Sequence, residues 1–257
     1  MTRSPPAPVV RYGEHPDQVA NLHRPAGGGE PWPVVVLLHG GFWRAAWDRT
    51  LMTPLARDLA ARGFLAWNAE YRRVGQDGGG WPGTLLVAAA AIDAVATIEQ
   101  ADTDRVAVVG HSAGGHLALW LASRDRVPAD TPGTGTRVRP RLAVSLAGVA
   151  DLVAGAEAGL GGGACEALLG GSPDSVPERY AADSPSALVP LGVPQLLVHG
   201  ARDDVVPSAQ SAGYAVAARA AGDEVELVEL PDVDHFDVIE ADHRAWDVVL
   251  ERLAGLT

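Results

Sequence analysis

Four polar clusters close apolar runs in this chain, and together they hold the parts of an acyl-transfer site. "HGGFW" (His39–Trp43) follows "PVVVLL", and "GHSAGG" (Gly110–Gly115) follows "RVAVV". "HGARDDVVP" (His199–Pro207) follows "QLLV", and "DVDHFD" (Asp232–Asp237) follows "EVELVELP". A serine hydroxyl is a weak nucleophile near neutral pH and needs a base within hydrogen-bond reach. Histidine titrates in the right range, but needs a carboxylate to fix its tautomer and stabilise the imidazolium. The tetrahedral intermediate needs backbone N–H donors, each worth about 10²–10³ in rate. Ser112 sits in a Gly-x-Ser-x-Gly pattern in which Gly110 and Gly114 permit a sharp strand-to-helix turn. In a chain with 30 glycines that pattern is weak alone. The order Ser112, Asp203, His235 along the chain, each at the end of an apolar run, is far more specific.

The acid has rivals. Asp204 is adjacent to Asp203, and Asp151 follows the apolar run "RLAVSLAGV"; motif spacing favours Asp203. His39 is expected to brace the glycine-rich loop, and His111 and His116, which flank the serine turn, to pack around it. Phe42, Trp43 and Trp81 are candidates for an aromatic substrate pocket, competing with ordinary core packing. Tyr71, Arg72 and Arg73 in "EYRR" read as a structural corner. Asp232, Asp234 and Asp237 accompany only one histidine, which favours a solvated loop over a metal site. No metal or cofactor is expected. The single Cys165 cannot form an internal disulfide and reads as a small buried or loop residue.

The elements that must position these residues alternate between strand and helix. Strand-like runs stand at Pro33–Gly41, Phe64–Arg72, Arg105–Ser112, Arg141–Val149, Pro194–Asp204 and Glu224–Asp232. Helical spacing covers Asp48–Gly63, Trp81–Ala101, Gly114–Ser123, Ser208–Gly222 and Ala241–Gly255, with Pro82 suited to a first turn and Gly63 to a stop. Such alternation predicts a mostly parallel sheet with helices on both faces. Weaker signals at "VVRYG" and "QVANLHRP" would supply an antiparallel edge. Val149–Pro194 reads as irregular and rich in Gly, Ala and Pro, which suits a cap of about 150–190 inserted in a single domain spanning 1–257.

Bulk properties narrow the function. The 257 residues are 47% hydrophobic and 20% charged, enough for one sizeable core. The net charge of −12 and the lack of a basic run argue against nucleic acid or an anionic membrane as partner. Every basic residue apart from histidine is arginine, which excludes a Schiff-base lysine, a P-loop lysine and a Ser-Lys dyad. "MTRSPPAPVV" has no apolar core or small-residue cleavage site, and no apolar run reaches the roughly 18 residues that span a bilayer. A cytoplasmic protein is the expectation, with monomer and homodimer both open.

On these residues the chain resembles the α/β-hydrolase superfamily, in its esterase/lipase-like group with the hormone-sensitive-lipase-type esterases and kynurenine formamidases. "HGGFW" is similar to the formamidase His-Gly-Gly-aromatic-Trp loop, "GHSAGGHLA" to the nucleophile elbow, "HGARDDVVP" to the acid loop and "DHF" to the histidine loop. The resemblance runs from about Pro33 to the C-terminus. It implies an eight-stranded, mostly parallel sheet with an antiparallel strand near the N-terminus and a small irregular cap. It also implies Ser112 as nucleophile, Asp203 as acid, His235 as base, and oxyanion donors at Gly41 or Phe42 and at Ala113. Lipases carry a third glycine where this chain has Phe42, a departure that narrows the pocket and favours the formamidase-like branch. The expected activity is hydrolysis of a small carboxylic ester or aryl amide through an acyl-enzyme. A ligand-binding protein on the same fold is the alternative.

Overall fold

The computed structural model describes residues 7–129 and 131–256. Most of "MTRSPPAPVV", from which the lack of a leader was read, lies outside the described residues. Eight strands form one sheet: β1 Val9–Arg11, β2 Val19–His23, β3 Trp32–Leu38, β4 Leu65–Ala69, β5 Ala101–His111, β6 Leu142–Leu146, β7 Gln195–Gly200 and β8 Val225–Leu230. Their order is β1-β2-β4-β3-β5-β6-β7-β8. β2 runs antiparallel to both β1 and β4, and every later pairing is parallel. This is the α/β-hydrolase sheet, and the two weak N-terminal signals are its antiparallel edge.

Alternate residues along the central strands feed two separate cores. Val34, Val36 and Leu38 on β3, with Val106 and Val108 on β5, join the buried faces of α2 (Gly83–Asp93) and α3 (Ala113–Ala122). Val35, Leu37, Ala107 and Val109 face the other way, into α1 (Thr53–Ala61) and the C-terminal helix Arg244–Leu253. Because both faces are covered, all seven residues of β3 are buried. That is why the run reads as continuously apolar rather than alternating.

Three expectations shift. The Ala-rich helix stops at Asp93 and gives way to a 3-10 turn at Ala94–Thr97. β5 starts at Ala101, earlier than its apolar core suggests, because Ala101 and Asp102 pair with Trp32 and Pro33 before a register break. The segment expected to be irregular holds α4 (Leu152–Glu157), α5 (Ala164–Leu169), α6 (Pro177–Asp183) and α7 (Pro185–Leu188). None exceeds two turns, too short for a 3.6-residue period to emerge. Local capping marks them instead: Asp151 accepts from the Ala154 N–H, and prolines open α6 and α7. Helix α8 (Ala209–Ala220) and the C-terminal helix, α9, complete the chain. Among the described residues no helix is long and apolar enough to cross a membrane.

Candidate active site

The site is assembled at the carboxyl ends of β3, β5, β7 and β8, where open α/β sheets place their ligands. Ser112 occupies the turn between β5 and α3, with φ 54° and ψ −118°. A left-handed φ at a non-glycine residue costs on the order of 1–3 kcal/mol and persists only where its surroundings hold it. Two things hold it here. The Ser112 N–H donates to the Leu146 carbonyl at 2.8 Å, and all ten residues of α3 are buried. The flanking glycines let α3 sit against the sheet: a Cβ on Gly114 would lie 2.1 Å from the Leu38 carbonyl oxygen, and one on Gly110 1.9 Å from that of Gly114.

The loop after β3 lies directly beside the serine. A Cβ on Gly40 would sit 3.0 Å from Ser112 Cβ and 2.7 Å from His111 Nδ1, so only glycine fits. Phe42 and Trp43 both have positive φ (52° and 55°), a strained path that a buried network maintains. His39, fully buried, faces the Gly40 carbonyl with Nδ1 at 2.6 Å and Glu70 Oε1 with Nε2 at 2.8 Å. Tyr71 stacks on the His39 ring at 4.3 Å and donates to the His39 carbonyl at 2.9 Å. Burial would push the Glu70 carboxyl up, but the His39 hydrogen bond and the Arg73 charge outweigh it and hold its pKa below the usual value. Arg73 also pairs with Asp17 at 2.9 Å, and the Tyr12 hydroxyl donates to the Glu70 carbonyl at 2.6 Å. "EYRR" is thus the expected corner, with Tyr12 as an unforeseen member.

His235 follows β8 and donates from Nδ1 to Asp203 Oδ2 at 2.7 Å. Asp203 Oδ1 accepts from the N–H groups of Val205 and Val206 at 2.9 and 2.8 Å. Burial works against the charge on Asp203. The nearby His199 N–H, the His235 hydrogen bond and the Val206 N–H overcome it and hold the carboxyl far below its ordinary range. The two rival acids lie elsewhere: Asp204 is exposed, and Asp151 caps α4. Asp234 and Asp237 are engaged in their own turn, Asp234 accepting from the N–H groups of Phe236 and Asp237.

Ser112, His235, Gly41 and Phe42 line one cavity of about 140 Å³, shared with Trp47, Leu51, His111, Val205 and Phe236. Ala113 stands beside Ser112 as the first residue of α3, where an N–H has no acceptor within the helix. Trp43 and Trp81 do not reach this cavity, which corrects their candidacy as pocket residues. Trp43 is fully buried beneath the loop, its indole N–H donating to the Ala113 carbonyl at 3.1 Å. Trp81 packs under the Arg179 guanidinium, 4.1 Å from its ring centre. The aromatic wall is instead Phe42 with Trp47 and Phe236, the last two stacked with centroids 6.2 Å apart. Phe236 was legible as the neighbour of His235; Trp47, still partly exposed, carried no signal, since the fold of the loop alone brings it to the cavity mouth.

The other histidines support rather than line up with the serine. His111 donates from Nε2 to the His235 carbonyl at 2.9 Å; burial, and then repulsion from His235, lower its pKa to about 3. His116 donates to the Asp183 carbonyl at 2.8 Å and meets Trp43 edge-on, its pKa lowered by burial to about 4. Both rings are neutral at physiological pH. His199, which sequence reasoning passed over, is fully buried and lies 3.2 Å from Asp203 Oδ2. Cys165 is buried, and burial pushes its thiol up to about 12, so it is inert.

The family model described as BD-FAE matches residues 20–216. The chain belongs to the BD-FAE family. This BD-FAE member is similar to esterase LipC of Mycobacterium tuberculosis, 28% identical over 254 residues, a match covering 90% of this chain and 60% of LipC. The chain therefore spans only about three fifths of that relative. It is also similar to kynurenine formamidase of Danio rerio, 25% identical over 248 residues, covering 90% of this chain and 75% of the other. Among solved structures, a truncated carbohydrate esterase from gut microbiota superposes with a TM-score of 0.83 at 18% identity. That likeness covers 98% of this chain and 96% of the other, and it shows the shared fold.

Proposed function

We propose that this BD-FAE protein is a serine hydrolase that cleaves small carboxylic esters through an acyl-enzyme. The observation that carries the reading is the 2.7 Å hydrogen bond from His235 Nδ1 to a charged, buried Asp203, with His235 and Ser112 on one cavity wall. With Nδ1 occupied, Nε2 of His235 is the nitrogen left to take the serine proton. Ser112 attacks the ester carbonyl, His235 accepts its proton, and Asp203 stabilises the imidazolium. The oxyanion is held by the Ala113 N–H and by an N–H of the Gly41–Phe42 segment. His235 then protonates the leaving alcohol and activates the water that releases the acid. No step calls for a cofactor.

The cavity sets the substrate's size. At about 140 Å³ it lies well below the 300–1,000 Å³ of pockets that enclose drug-sized ligands, so it encloses a short acyl group or one end of a larger ester. Segment 150–190 acts as the cap: Arg44 ties it to the oxyanion loop by donating to the Gly161 carbonyl at 2.6 Å. That a relative is named an esterase supports an ester substrate for this chain, and the formamidase relative makes N-formylkynurenine the informative competitor.

Turnover of p-nitrophenyl esters of increasing chain length, beside N-formylkynurenine, tests this. The expected result is fastest cleavage of acetyl to butyryl esters and loss of kcat by about 10⁴–10⁶-fold in Ser112→Ala. A serine-directed phosphonate should label Ser112. Near-wild-type turnover by Ser112→Ala, or ligand binding with no turnover of any ester, would replace the hydrolase with a binding protein.

A further inference from the structure

We propose that His199 is a positioning residue of the catalytic acid, fixing the Asp203 carboxylate in the orientation and basicity that His235 requires. The proposal rests on the triad reading above. His199 is fully buried on β7, four residues before Asp203. Its Nε2 lies 3.2 Å from Asp203 Oδ2 and 2.9 Å from the Val206 carbonyl, and both neighbours can only accept. The proton therefore sits on Nε2, bonded to the Val206 carbonyl with Asp203 Oδ2 beside it. Nδ1, 2.7 Å from Ser211 Oγ on α8, then accepts the serine hydroxyl proton. One ring thus joins β7, the acid loop and α8.

The consequence falls on a single oxygen. Asp203 Oδ1 is held by two backbone N–H groups, whereas Oδ2 accepts from His235 and has the His199 Nε2–H 3.2 Å away. Without His199, Oδ2 depends on the catalytic histidine alone, and the loop loses its tie at the Val206 carbonyl. A buried carboxylate that loses an N–H dipole 3.2 Å away binds a proton more strongly. It also holds the His235 imidazolium more tightly in the free enzyme, which leaves less neutral base at a given pH. The acidic limb of kcat/KM should then move to higher pH. Ser211 acts on the same line, because a hydrogen bond received at Nδ1 makes Nε2–H a better donor.

The test uses the full chain with p-nitrophenyl acetate. His199→Leu puts an apolar side chain of similar bulk in place of the imidazole and removes the donor; His199→Gln retains an N–H donor. His199→Leu should lose about 10–100-fold in kcat/KM, mostly in kcat, with its acidic limb moved up. His199→Gln should recover most of the rate and bring the limb back. A His199→Leu enzyme that loses thermal stability but keeps kcat and the wild-type limb would overturn the positioning role. If His199→Leu does not fold, Ser211→Ala decides: a smaller loss with the same upward shift supports the role, and an unmoved profile overturns it. Ser112→Ala serves as control. An active Ser112→Ala sinks the triad reading and this proposal with it, whereas an inactive one beside a fully active His199→Leu sinks only the latter.

Discussion

Asp203 and Asp204 are neighbours in sequence and opposites in environment. Asp203 is covered, charged and bonded to His235, whereas Asp204 faces solvent. Asp203→Asn should lower kcat by about 10⁴-fold, because an amide favours the wrong imidazole tautomer. Asp204→Asn should leave kcat within about twofold, as exposed substitutions usually do. Steady-state assay of the two variants side by side checks this, and a reversed result would move the acid by one residue. The histidines sort in the same way. His39, His111 and His116 differ from His235 in what their nitrogens already bind, and only His235 has its acid on one nitrogen while its ring reaches the cavity.

Between elements, the critical fit is α3 against β3 and β5. Strand and helix approach so closely at the elbow that the backbone oxygen of Leu38 occupies the space a side chain on Gly114 would need. Gly114→Ala should destabilise the protein by at least about 1–3 kcal/mol, since the obstacle is main chain of a buried strand and cannot swing aside. For a domain of this length each kcal/mol lowers Tm by about 2–4 °C, so thermal unfolding resolves the effect. Activity per folded molecule should fall as well, because displacing α3 moves the Ala113 N–H away from the oxyanion.

Over the whole molecule, one buried carboxylate makes stability depend on pH. Asp183 ends α6 and is fully buried, and neither of its oxygens closes a hydrogen bond. Burial raises its pKa to about 7, with the indole N–H groups of Trp81 and Trp120 and the Arg179 charge pulling the other way. An unfolded aspartate titrates near 3.9. Between about pH 4 and about pH 7 this carboxyl therefore binds more proton in the native state than in the unfolded chain, and its own contribution to stability falls as pH rises through that window, against the opposite contribution of the buried neutral His111 and His116. Above it, folding carries the cost of a buried, unpaired charge, on the order of a few kcal/mol. Asp183→Asn keeps the shape without the charge. Urea unfolding at pH 5 and pH 8 should show the wild type losing stability relative to this variant at the higher pH. Parallel changes in the two proteins would mean that Asp183 is not the titrating group.

Strand-helix alternation, the four polar clusters at strand ends and the order of serine, acid and base were all determined by the sequence alone. These signals are local: apolar period, glycine beside a turn, and a polar residue closing an apolar run. Tertiary structure decided what depends on approach between distant segments. It separated Asp203 from Asp151 as the partner of His235, withdrew Trp43 and Trp81 from the pocket and brought in Trp47 and Phe236. It also set His199 against the acid, a contact whose sequence trace is one histidine following the apolar run Leu196–Val198. The cap helices stayed hidden because four to seven residues cannot display a helical period. The size of the cavity was equally out of reach, since a volume is the gap left when several elements pack and no one of them encodes it.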